Sequence, residues 1–409
     1  MGAEGSKMPV ELVCEMCKTE AAPPTRESAG AVHVGAGRVL IFGGGCEGQD
    51  GAEQFNDTHL LDINTGKWKV VETQGTPPSP RTGHATVVVE HTDGRQTVFV
   101  IGGCNLTEGY MSDVHTLDVA TWTWSAQNVG GNAPSPRDKH KAVVHGSRIY
   151  LWGGFGPATS KPASTTTTPA APATTTTITT NGADESGDES EQEEEDDSIS
   201  FTWFDDMYAL NVEQMVWEKL ATNGQGPSAR AGHGMCTVGD KLLVFAGRDA
   251  QGRRSDTFSF EVATLTWREE GAAHPQPKAR SFHSFCSMPD NLPGAFSFGG
   301  VGVNGGSLDE MFEVLDTRTM QWMQVQGTTG AWPSKRASAA VVVVGTKAVV
   351  YGGSASWEMI NGKARTCNNT FLIDLTSVMN NLASVPTTTA DVDDKLADNR
   401  PPKTQKLGP

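Results

Sequence analysis

Apolar and polar positions along this chain follow a unit that keeps returning. In its clearest copy a polar turn, Pro78-Ser79-Pro80-Arg81-Thr82-Gly83-His84, gives way to the apolar run Val87 to Val89. A second apolar run, Phe99-Val100-Ile101, stops at Gly102-Gly103. A polar loop follows, and the half-alternating His115-Thr116-Leu117-Asp118 leads to Trp124. Short apolar runs bounded by turn residues predict β-strands, so each unit reads as four of them.

The turn Arg recurs at Arg26, Arg81, Arg137, Arg230, Arg280 and Arg336. The pair closing the second strand recurs as Gly43-Gly44, Gly102-Gly103, Gly153-Gly154, Ala246-Gly247, Gly299-Gly300 and Gly352-Gly353. Trp68, Trp124, Trp217, Trp267 and Trp322 close five units. The first four stand 13 residues before the next turn Arg and the last stands 14 before it. Successive Arg positions lie 55, 56, 93, 50 and 56 apart, so one insertion explains the outlier. A period near fifty with four short strands predicts a β-propeller. The glycine pair, the Asp57-Thr58-His59-Leu60-Leu61-Asp62 type of strand and the spaced Trp together resemble the kelch-repeat family, over roughly residues 10–378. That resemblance, to the central propeller of galactose-oxidase-like proteins, implies an all-β fold: a six-bladed kelch β-propeller. No segment resembles an attached BTB, F-box or enzyme domain.

Ring closure is expected from the register of the first segment. Val13 lies 13 residues before Arg26, where other units have Trp, and the last unit has no Trp after Asp374. An N-terminal strand completing the last blade removes an open sheet edge. Cys14-x-x-Cys17 sits on that strand, and residues three apart on a strand face opposite sides, so the pair reads as structural rather than as zinc ligands. The expected organisation is a flexible 1–9, a propeller over 10–378 and a disordered tail over 379–409.

Within a unit, the glycines fit a place where the chain dives toward the propeller axis and turns sharply. Asn56-Asp57, Ser112-Asp113, Asp205-Asp206, Ser255-Asp256 and Asn368-Asn369 begin the third strands and read as turn formers that bond their own backbone. Blade five has Asp309-Glu310 one residue early, which reads as a bulge. Blade three breaks the period, with 64 residues from Gly153 to Trp217 against 21–25 elsewhere. Its insert, 157–200, runs from Pro, Ala and Thr into ten acids between Asp184 and Asp197. Such a block reads as disordered. Ser186 and Ser190 each have an acid three residues on and are candidate phosphorylation positions. Flexible and acidic, the insert is expected to compete with an acidic partner for cations on the nearby rim.

Net charge is −16, which argues against nucleic acid as a partner. No run of eighteen apolar residues predicts a membrane span, and the first residues lack the apolar core of a secretion signal. Seven scattered cysteines read as reduced thiols, so the expected location is cytoplasmic. Met1 to Lys7 fits the N-myristoylation pattern, which makes Gly2 a candidate acylation site. One acyl chain beside a single Lys7 would give weak membrane association at most.

His84, His140, His233 and His283 each follow a turn Arg by three. Equivalent positions on separate blades surround a channel too wide for one ion's ligands, so they read as structural and no metal site is expected. The Trp read as packing anchors, and the Arg as donors to carbonyls in inter-blade turns. Kelch copper oxidases need a Tyr–Cys pair and further channel Tyr, and this chain has four Tyr in all. The iron-dependent specifier proteins carry Glu-x3-Asp-x3-His; Glu53 and Asp57 match, but Leu61 stands in the third place. No catalytic residue and no cofactor is assigned.

In kelch adaptors, partners are gripped by residues just after the glycine pair and two residues after the turn Arg. Here these are Gly45, Cys104, Phe155, Arg248, Val301 and Ser354, and Ser28, Gly83, Lys139, Gly232, Phe282 and Ser338. Lys139, Phe155, Arg248, Arg253, Arg254, Ser338, Ser354 and Trp357 are chosen as partner-binding candidates, suited to an acidic or aromatic peptide. The expected function is therefore a protein-interaction module or scaffold. The alternative is a small-molecule enzyme like the kelch sugar epimerases, acting in the central channel.

Overall fold

A computed structural model describes residues 7–17, 21–48, 51–158, 200–271, 276–289, 292–309, 311–355 and 365–384. Blade two shows the plan. Strands Ala85–Glu90, Gln96–Asn105, Gly109–Asp118 and Thr123–Ala126 pair antiparallel in sequence order, from the channel outward. Six such blades form the propeller, blades five and six being joined into one eight-stranded sheet. Side chains of one strand alternate between two neighbouring blades. Leu40 and Phe42 enter the cluster shared with blade two, while Val39 and Ile41 enter the one shared with blade six. One apolar cluster fills each interface, six in all. The Trp seal them: Trp124 packs 5.0 Å from Phe42 and Trp322 4.4 Å from Phe245, each on the aromatic that precedes the previous blade's glycine pair.

Blade six is made from both ends of the described chain. Ala340–Val344, Lys347–Tyr351 and Thr370–Asp374 are joined by Lys7–Met16, which pairs antiparallel from Val13↔Asp374 to Met16↔Phe371. The same strand pairs in parallel with Gln321–Gly330 of blade five. Three expectations need correction here. The strand starts at Lys7, because its first residues are already paired with Gln324 and Val325, so a flexible segment over 1–9 is too long. The place of Trp is taken by Cys14 rather than Val13. Cys14 stands opposite Ile373 as Trp68 stands opposite Leu61, and it is buried while Val13 is 53% exposed. Counting from Arg26 missed this because the linker after this strand is one residue shorter. Finally, the tail does not begin at 379: the helix Thr376–Ser384 buries Val378 and Leu382 against Leu12 and Met288.

Each turn Arg is buried and clamps its own blade. Arg81 donates from Nε to the Ser79 carbonyl, from Nη1 to the Gly102 carbonyl, and from both Nη atoms to the Asp113 carboxylate at 2.7 and 3.0 Å. Arg26–Asp57, Arg137–Asp206 and Arg230–Asp256 repeat the pattern. The Asp of Asn56-Asp57, Ser112-Asp113, Asp205-Asp206 and Ser255-Asp256 is thus a counter-ion, not a turn former. The turns that bond their own backbone lie at the other end of that strand, where the Asp62, Asp118 and Asn211 side chains accept N–H groups two residues on. In blade five the acid has moved to Glu313 within the strand, and Asp309 pairs instead with Lys335, so no bulge is involved. Blade six has Asn369 in the acid's place. Arg336 keeps its bonds to Ser334 and Gly352 and stacks 5.1 Å over Phe371, without a carboxylate among the described residues.

Two outcomes follow from this arrangement. Deleting residues 1–17 exposes a strand edge on blades five and six, and should lower the melting temperature by more than 10 °C or cause self-association, read by calorimetry and sedimentation; an unchanged melt would show that the strand does not close the ring. Asn369→Asp supplies the missing counter-ion. A charge-assisted bond of about 1.5–3 kcal/mol predicts a rise of several degrees, and no rise would mean that Phe371 already satisfies Arg336.

Candidate functional site

The inter-blade seams come first, because they fix the channel and the rim. Gly102 and Gly153 both have positive φ, and a Cβ there would meet the ring of His140 at 3.0 Å or His233 at 2.8 Å in the next blade. The four repeated histidines are therefore wedges. His84 packs edge-on against Phe42, His233 against Trp152 and His283 against Phe245. Among the described residues no group of three or more His, Cys, Asp or Glu is gathered as for a metal ion. Burial, with the charge of the turn Arg behind it, pushes His84 and His140 down to about 3, and burial drives His233 and His283 well below their ordinary value.

The positions two residues after each turn Arg converge on the channel mouth. Ser28 N–H bonds the Ser338 carbonyl, Ser338 that of Phe282, Phe282 that of Gly232, Gly232 that of Lys139, and Lys139 that of Gly83. All six residues have φ between 52° and 66°. Five of the six links in this ring are thus main-chain hydrogen bonds that narrow the entrance. Behind it the two cavities measure about 80 and 180 Å³. Pockets for small organic ligands usually occupy about 300–1,000 Å³, so a sugar has little room in the channel.

The second predicted row, just after the glycine pairs, lies on the same face. A two-residue bridge joins each member to the residue after a turn Arg: Gly45 to Glu27, Cys104 to Thr82, Phe155 to Asp138, Arg248 to Ala231, Val301 to Ser281 and Ser354 to Ala337. The four cations chosen from sequence are not equivalent. Lys139 is paired with Asp138, whose carboxyl is nonetheless pushed up by burial. Arg254 is paired at 2.6 Å with Asp249. Burial would raise the Asp249 carboxyl, but hydrogen bonds from Ser228, Arg254 and the Gln251 amide hold it below its usual range. Arg248 and Arg253 stand directly opposite each other on adjacent strands, and no carboxylate ion pair holds either one among the described residues. Arg253 donates from Nε to Ser281 Oγ at 3.0 Å, and burial followed by the charge of Arg248 lowers its pKa.

Phe155 is half-buried in an aromatic group. It stacks 5.9 Å from Phe201 and lies 5.0 Å from Trp203, while Tyr110 of blade two lies 5.6 Å from Phe201. Phe155–Pro157 and Phe201–Trp203 form the two-stranded neck from which the insert leaves. Across the ring, a pocket of about 270 Å³ over blade one carries Glu27, Glu47 and Glu53. Burial, then Glu47, pushes Glu27 up. One candidate is corrected: Ser354 is wholly buried, bridged to both Ala337 and Thr366, and offers no surface to a partner. Ser338 spends its main chain on the ring. Trp357, Gly2, Ser186 and Ser190 lie outside the described residues. Sequence reasoning missed Ser281, Asp138 and Tyr110. The first two sit one residue after a turn Arg, a place the repeat marks but that was passed over.

A family model described as the KLHDC2/KLHL20/DRC7 Kelch-repeats domain matches residues 28–191 and 187–380. Among curated proteins, the chain is 28% identical over 228 residues to Kelch domain-containing protein 3 of Bos taurus, covering 51% of this chain and 58% of that protein. It is 26% identical over 221 residues to Acyl-CoA-binding domain-containing protein 4 of Arabidopsis thaliana, covering 54% and 25%. It is 25% identical over 202 residues to Host cell factor 1 of Rattus norvegicus, covering 48% and 8%. The matched region thus spans between about a twelfth and somewhat over half of these relatives.

The buried imidazoles set an acid limit on stability. Each is neutral in the folded protein and depressed below the ordinary value near 6.5 of an unfolded chain. Protons therefore favour the unfolded chain: stability is full above about pH 6.5 and falls as pH drops toward 3. A melting temperature that declines steadily from pH 6.5 to 4.5 is expected. A flat profile over that window would mean that the rings are hydrated.

Proposed function

The chain belongs to the kelch-repeat family, and on that footing we propose that it is a protein-interaction module that takes a carboxylate-bearing peptide on the face carrying Arg248 and Arg253. The observation carrying this reading is the unbalanced arginine pair. Like charges placed opposite each other across two strands cost stability, and here no acid offsets them among the described residues. Two guanidinium forks side by side suit a carboxylate, which accepts paired N–H donors in one plane. Ser281 restrains Arg253, so less side-chain freedom is lost on binding. The aromatic group of Phe155, Phe201 and Trp203 adds an apolar surface to the same face, and Phe201 is 49% exposed. The acidic pocket around Glu27 and Glu53 on the far side of the ring would repel an all-acidic ligand and so favour a peptide with its negative charge at one end.

The test is a display library of peptides with acidic side chains, free C-terminal carboxylates or amidated ends, selected on the full chain. Selected peptides should carry a carboxylate and bind at least tenfold more weakly to Arg253→Glu and to Arg248→Glu. Arg95→Glu, at the opposite end of blade two, should leave affinity unchanged. The free-end and amidated arms tell a terminal from a side-chain carboxylate. Selected peptides indifferent to both rim substitutions would overturn the reading.

A further inference from the structure

The channel behind the ring holds a charge that no acid answers among the described residues. Lys141 begins the inner strand of blade three and lines both on-axis cavities. At the same place in the other blades stand Gly30, Ala85, Gly234, Ser284 and Ala340, so Lys141 is the one long side chain at this position of the repeat. Neither cavity is lined by an Asp or a Glu. No ion pair or hydrogen bond engages the Lys141 ammonium among the described residues.

The groups around it are polar but uncharged. His84, His140 and His283 line the cavity of about 80 Å³ and are at least nine-tenths buried, each within reach of one backbone acceptor, that of Phe42, Ile101 and Phe245 respectively. Thr86 Oγ1, in the cavity of about 180 Å³, is buried and unpartnered. His84 Nε2 and Thr86 Oγ1 both face Gly30, whose missing side chain makes room for them. A Cβ on Gly30 would lie 3.0 Å from the first and 1.9 Å from the second. A neutral imidazole has a single N–H, which the backbone acceptor beside each ring can take, so the donors left to the channel are the Thr86 hydroxyl and the Lys141 ammonium. Lys141 is half-buried, and the loss of part of its hydration with no acid beside it pushes its ammonium below its ordinary value. A bound anion would offset that loss.

We propose that the central channel is a binding site for one small oxyanion of phosphate size, held by Lys141 with Thr86. The cavity volumes set the size limit: there is room for a small oxyanion and a few waters. The site is separate from the rim arginines, with the ring of main-chain bonds between them.

The test uses inorganic phosphate as the probe on the full chain carrying Arg248→Ala and Arg253→Ala, so that the rim contributes nothing. Calorimetric titration at constant ionic strength should show one saturable site, matched by a rise in melting temperature. Lys141→Met should weaken it at least tenfold, and Thr86→Val, which keeps the side-chain shape, by a few-fold. Thr86→Val also serves if Lys141→Met fails to fold. Acetate tests whether a carboxylate enters, and chloride tests for a plain salt effect. No saturable binding, equal binding by Lys141→Met, or chloride acting as strongly as phosphate would each overturn the proposal.

Discussion

A guanidinium has five N–H groups and a charge that does not titrate, so burying one obliges the surrounding chain to supply acceptors and a counter-ion. Each blade is arranged around that obligation. The Pro/Ser turn presents a carbonyl two residues before the Arg, and in four blades a Ser hydroxyl accepts from Nη2 as well. The first carbonyl of the glycine pair turns inward to Nη1, and the third-strand segment brings a carboxylate in blades one to five. Three parts of the repeat that are distant in sequence are thereby tied to one side chain. Burial would raise the Asp57, Asp113 and Asp206 carboxyls. Hydrogen bonds from the Arg, joined by His59, His115 and Tyr208 respectively, hold them below their usual range.

The repeat was legible because its parts are spaced along the chain, and the partners of those parts were not. Arg, Gly-Gly and Trp were all visible, and so were the blade count and the strand that closes the ring. That Arg81 is paired with Asp113 was not, since a Ser-Asp or Asn-Asp pair reads the same whether the Asp bonds its own backbone or a residue 32 positions away. Cys14 was missed for Val13 because counting from the next Arg assumes a constant linker, whereas pairing is set by hydrogen bonds to Ile373 and Leu372. The helix after Asp374 was hidden in a polar stretch. Two buried side chains, Val378 and Leu382, suffice to dock it, too few for a clear period.

The rim divides differently. Four cations in sequence became two once Asp138 and Asp249 were seen to answer Lys139 and Arg254. Composition cannot show such pairing, because a charge on a loop and its neutralised counterpart have the same letters. The main chain of the ring positions is spent on each other, so their side chains are free to differ without cost to the frame. Ser, Gly, Lys and Phe all occupy that ring with nearly the same positive φ. Backbone bonding that recurs in every blade keeps Lys139, Phe282, Ser28 and Ser338 in a conformation that side-chain-bearing residues seldom adopt. The scaffold and the surface chemistry are therefore separable at the level of single residues.

Closure is where this economy is weakest and where the structure adds something of its own. Blade six has Cys14 for Trp and Asn369 for Asp, so both of its fixed parts are reduced. Its outer strand also comes from a point more than 300 residues away. Chain-closure entropy grows only as the logarithm of that distance, so against a ten-residue hairpin the added cost is about 3 kcal/mol. That is within reach of a few buried side chains at about 1.5–3 kcal/mol each. Leu12 and Cys14 supply two, and the helix Thr376–Ser384 brings Val378 and Leu382 to the same cluster. The parallel pairing from Lys7 to Cys14 then ties the strand to blade five as well. A strand fixed on both edges, with a helix against its buried face, has no free edge to trade with another chain.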